Sequence, residues 1–94
     1  MDFTTFQLSI QNDVPPAGVS VYLAALWYDA NSEWHKGHAM VDQLDDSMAC
    51  QVHAYLHRKE GDQGNAAYWY RRAGIPQPQL SLQKEWELLV KALL

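Results

Sequence analysis

The sequence predicts an all-α domain, and three observations carry that prediction. Stop-and-start signals for helices recur at Asn31-Ser32, Asp45-Asp46-Ser47, Gly61-Asp62 and Gly74-Ile75-Pro76. Between them apolar residues fall at helical spacing, most plainly Leu82, Trp86, Leu89, Val90 and Leu93 on one stripe. Sliding the chain over itself by 29 residues lays one pair of predicted helices on the next, and such a period belongs to repeated helix pairs.

Five helices are expected within one domain spanning residues 1–94. Residues 1–17 form an N-terminal extension, extended or coil, which ends in the breaker Asp13–Gly18 because its two prolines cannot sit inside a helix. A first hairpin covers residues 18–44. Its first helix, Val19–Ala30, is apolar nearly all round and so is covered on more than one side. Asn31-Ser32 supplies a left-handed residue and a capping hydroxyl before a second helix, Glu33–Leu44. The second hairpin covers 45–74. Asp45, Asp46 and Ser47 suit the positive start of a third helix, Met48–Glu60; Gly61 ends it and Asp62 caps the fourth, which stops before Gly74. Residues 75–80 are a stiff proline-containing linker. Ser81 caps a C-terminal amphipathic helix over 81–94, with Glu87 and Lys91 paired on its wet side.

In the 29-residue register Ser32-Glu33 falls on Gly61-Asp62, Gly37 on Ala66, Val41 on Tyr70, Leu44 on Ala73, Ala25 on Ala54 and Tyr28 on His57. The agreement lies in size and polarity rather than identity. Small residues at Gly37 and Ala66 let two helices approach closely, and larger neighbours fill the gaps. Gly61-Asp62, Ala66, Trp69-Tyr70, Ala73 and Pro78 stand at a spacing that resembles a tetratricopeptide (TPR) hairpin, in a unit shorter than the usual length of about 34 residues. The inward positions of the first helices are then Val21, Ala24, Ala25 and Tyr28, matched by Cys50, His53, Ala54 and His57. The chain is also similar to a family of small microbial proteins carrying a HAYLHRKEGD…NA.YWYRRAG signature, a likeness that reaches upstream to Leu26-Trp27-Tyr28-Asp29 and Trp34. That resemblance implies no activity.

Composition narrows the function classes. An apolar fraction of 48% with 19% charged residues belongs to a folded chain, and a net charge of −4 argues against a nucleic-acid partner. Arg71-Arg72 read instead as cations placed at a helix C-terminus. Cys50, the single cysteine, excludes an internal disulfide and a multi-cysteine zinc site, and reads as a small buried residue. With no signal peptide and no apolar run of membrane-spanning length, a cytoplasmic protein without membrane contact is expected.

The stretch His53–Gly74 concentrates the polar candidates: His53, His57, Arg58, Glu60, Asp62, Asn65 and Tyr68. His53 and His57 lie four apart on one helix face with Glu60 three further on, so they and Glu60 form the alternative reading, a metal or small-molecule site, catalytic or not, with Arg58 as an anion anchor. His35 and His38, on another helix, are not expected to converge with them. The preferred reading makes the two imidazoles packing groups, hydrogen-bonded to Asn65, Asp62, Tyr68 or a backbone carbonyl, and assigns no cofactor. On that reading the protein is a non-catalytic interaction module. A protein or peptide partner lies in a groove along the first helices, against Tyr22, Trp27, Tyr55 and Arg58, and a homodimer forms through the C-terminal helix.

Overall fold

Aspartate and serine side chains start five of the six helices in the computed structural model, which describes residues 1–94. The helices are α1 (Phe3–Ser9), α2 (Val21–Ala30), α3 (Trp34–Val41), α4 (Ser47–Glu60), α5 (Gln63–Ala73) and α6 (Leu82–Leu93), and there is no strand. The caps Asp46, Asp62 and Ser81 stand where the sequence places them, accepting from the backbone N–H of Ala49, Asn65 and Lys84 respectively, each at 3.1 Å. Gly61 and Gly74 close α4 and α5 in the left-handed region, at φ 89° and 80°. Between α2 and α3 the left-handed residue is Ser32 at φ 66°, and α3 starts at Glu33 without a side-chain cap. Asn31 serves differently: its amide nitrogen donates to the carbonyl of Ile10 at 2.6 Å and ties α2 to the N-terminal segment.

The expected count of five helices is corrected by α1, since the first residues are helical rather than extended or coil. Asp2 caps this helix through the Thr5 N–H at 2.8 Å. Seven residues are too few to hold a helix in water, so packing must stabilise it. Phe6 is fully buried, and both Phe3 and Phe6 lie against the Trp86 ring, with centroids 5.9 and 6.2 Å away. Trp27 Nε1 donates to Ser9 Oγ at 3.1 Å, fixing the end of α1 on α2.

The main packed pairs are α2 with α3 and α4 with α5, and α4 also touches α2, α3 and α6. Their core joins Leu23, Ala25, Leu26, Trp27, Val41, Val52, Tyr55 and Leu56 to Phe6 of α1 and to Trp86, Leu89 and Val90 of α6. The proposed groove contacts Trp27 and Tyr55 are therefore corrected to core residues, 0% and 2% exposed. The physical reason is that α1 and α6 lie over the surface that α2 and α4 would otherwise present. Trp86 reaches far enough into it for Nε1 to donate to the Leu26 carbonyl at 3.1 Å. The apolar stripe of α6 is spent on this internal contact, leaving Leu88 as its exposed large apolar residue. No helix is long and apolar enough to cross a membrane.

Gly37 sets the distance between α2 and α3. A Cβ there would stand 2.5 Å from the Ala25 carbonyl oxygen, and that oxygen belongs to backbone that cannot swing aside. Gly37→Ala is accordingly expected to destabilise the fold by about 1–3 kcal/mol, the cost of forcing extra volume into a packed contact. Urea denaturation measures it, and an unchanged midpoint would refute the close approach.

Candidate metal centre

Two helices supply the centre. His53 and His57 stand one turn apart on α4 with Glu60 at its end, and the opposite wall comes from α3, which Gly37 lets settle close to α2. Trp34, the first residue of α3, donates its indole N–H to the Leu56 carbonyl of α4 at 2.7 Å and so locks the two helices together. One turn further along α3, His38 then meets the α4 histidines.

The rings converge through the same atom. His53 Nε2 lies 3.0 Å from His38 Nε2 and 3.0 Å from His57 Nε2, and ligand atoms of all three lie within 4.8 Å of one another. An imidazole nitrogen carries either one hydrogen or one lone pair along a single direction, so His53 Nε2 can make at most one linear hydrogen bond. Three lone pairs turned to one focus would repel each other without a cation between them. A tetrahedral zinc site, with Zn–N bonds of about 2.0–2.1 Å, holds its nitrogens about 3.3 Å apart, so the two pairs that share His53 would need to open by only a few tenths of an ångström.

The outer nitrogen of one of the three rings is hydrogen-bonded in the way this arrangement needs. Glu60 Oε1 accepts from His57 Nδ1 at 2.8 Å, so Nδ1 holds the proton and Nε2 turns its lone pair inward. Asp42 stands behind His38 Nδ1 at 3.9 Å, oriented like Glu60 but at ion-pair rather than hydrogen-bond range. His53 Nδ1 is buried with no partner. If Nε2 ligates, the proton on that Nδ1 is left unpaired, at a cost of about 1–3 kcal/mol.

Burial keeps His53 neutral and favours the neutral form of His38. His53 is 3% exposed, and burial first, then the neighbouring His38 and His57, bring its pKa down to about 4. Burial followed by the charge of His57 also lowers His38, against an opposing pull from Asp42 and Glu60. At neutral pH a metal would therefore find the His53 lone pair free of protons. The flanks are aromatic: Trp34 stacks on His38 with centroids 4.9 Å apart, and Trp69 on His53 at 3.9 Å.

Of the polar residues singled out in the sequence, the structure gathers His53, His57 and Glu60, with Glu60 behind His57 rather than at the focus. Arg58 turns the other way, to Glu85 Oε1 of α6 at 2.7 Å and to the Leu80 carbonyl. Asp62 and Asn65 bond to each other at the start of α5, and Asp62 caps that helix. Tyr68 is exposed, edge-on to Trp69. Tyr22 donates its hydroxyl to Asp46 at 2.8 Å, and Cys50 is buried, which pushes its thiol pKa up. The histidines do not bond to Asn65, Asp62 or Tyr68. His38, which the sequence reading set aside as not converging, is the residue it missed. The available signal was its place four residues after Trp34 and next to Gly37, the one position on α3 that packs backbone to backbone.

Compared with models of known protein families, with curated proteins and with solved structures, the chain matches none.

Proposed function

We propose that the protein binds one divalent transition-metal ion of the zinc class through Nε2 of His38, His53 and His57. The observation behind this is the double approach of His53 Nε2, 3.0 Å from each of two other Nε2 atoms, which hydrogen bonding alone does not satisfy. Three imidazoles favour zinc, copper, nickel or cobalt over magnesium and calcium, which prefer oxygen donors. We read α2–α3 and α4–α5 as degenerate TPR-like units. On that reading the ion fastens the second helix of one unit to the first helix of the next.

Calorimetric titration of metal-free protein with zinc tests the proposal. Expected are one site of micromolar affinity or tighter, and loss of binding in His38→Ala, the most exposed of the three ligands, with helicity retained. Free zinc at a hundredfold excess over Kd should stabilise the fold by about 3 kcal/mol. No heat and unmoved imidazole NMR signals would make the rings packing groups between helices. The reading would then pass to a protein partner, for which the apolar groove of about 200 Å³ lined by Met48, Ile75, Leu80 and Leu88 is the first surface to test.

A further inference from the structure

We infer that the fourth coordination position of this centre is open and takes a water molecule or a small anion from solution. The inference rests on the three-histidine reading and on four features of its surroundings.

The first is the donor set. Two groups of mutually close ligand atoms share His57, one with Glu60 and Asp62 and the other with His38 and His53, and the three-histidine group holds no fourth histidine, cysteine, aspartate or glutamate. Closed structural zinc sites use four protein ligands, whereas three protein ligands leave a place for an exogenous one. The nearby carboxylates do not fill it, because Glu60 is held on the outer nitrogen of His57 and Asp42 lies behind the outer nitrogen of His38.

Second, the aromatic neighbours do not block the approach. The Trp34 and Trp69 rings lie nearly parallel to the faces of His38 and His53, with interplanar angles of 11° and 16°. A ring stacked on an imidazole face lies out of the plane in which Nε2 points, so it closes a flank and leaves the focus open. Third, two of the three ligands reach the surface: the His38 side chain is 25% exposed and that of His57 11%, whereas His53 is buried.

The fourth feature limits size. No cleft of the molecule is lined by His38, His53 or His57, so there is no room beside them for a bulky organic substrate, and the fourth ligand must be small. A cation held by three neutral imidazoles keeps its full charge, which favours an anion or hydroxide as the fourth ligand.

Cobalt(II) spectroscopy on the unmodified chain tests this, because the visible bands of cobalt respond to coordination number and ligand type. Cobalt should first give saturable bands at one equivalent. Azide in large excess should then shift those bands along a single isosbestic point with one azide per metal. Cobalt bands that azide leaves unmoved would overturn the open position while the three-histidine reading stands. Absence of cobalt bands at one equivalent would overturn both.

Discussion

Glu85→Ala is expected to destabilise the fold by about 3–5 kcal/mol, the range for removing one member of a buried ion pair. Glu85 is 4% exposed and carries two partners: Arg58 donates to Oε1 at 2.7 Å and the Tyr70 hydroxyl to Oε2 at 2.6 Å. Burial first, then the bond and charge of Glu85, push the Tyr70 phenol pKa far up, so it remains a donor at every ordinary pH. Truncation leaves a guanidinium that is largely buried and a phenol without an acceptor, and both costs fall on the folded state. The cost arises from stranded partners rather than from the strength of the bonds. The combined variant Glu85→Leu, Arg58→Met, Tyr70→Phe should therefore recover most of the loss. Guanidinium denaturation of the two variants measures both quantities. Equal losses in the two would mean that Glu85 is an ordinary packing residue.

This network also shows where the sequence was legible. The caps Asp46, Asp62 and Ser81 and the stop at Gly61 depend on residues within a few positions of each other, so local chemistry suffices to read them. The first helix was not legible in that way. Asp2, Phe3 and Phe6 are modest signals alone, and the helix holds because Phe6 enters a core completed by Trp86 at the far end of the chain. Arg58 looked like part of a polar site because it neighbours His57, yet successive residues on a helix point in different directions. Its partner Glu85 is 27 residues away. The same limitation hid His38, whose meeting with His53 follows from the close approach at Gly37 and the Trp34 bond to Leu56. Local spacing identifies helix faces, and only the packing of α3 on α4 shows which faces share a centre.

In metal-free protein with chelator present, acid should weaken the fold through His53 by about 3 kcal/mol in total, with roughly two of these lost by pH 5. The sign follows from the folded pKa of about 4 against 6.5 for the free side chain. Between those values the unfolded chain binds the proton and the folded chain does not, so stability falls as pH drops from 6.5 and levels off below 4. The groups facing His53 act in both directions: His38 and His57 beside it and Arg72 on α5 disfavour its proton, while Asp42 favours it. His38, also lowered, adds to the loss. Asp29 opposes it at the acid end, because burial raises that carboxyl and the folded state gains by protonating it. His53→Phe isolates the main contribution, since it keeps a ring against Trp69 and removes the titrating nitrogen. Urea midpoints at pH 7.5 and pH 5 should differ less in this variant than in the parent, by the two or so kcal/mol assigned to His53. Equal pH dependence in variant and parent would mean that His53 takes up its proton as readily folded as unfolded. The neutral, lone-pair-bearing ring on which the centre depends would then be lost.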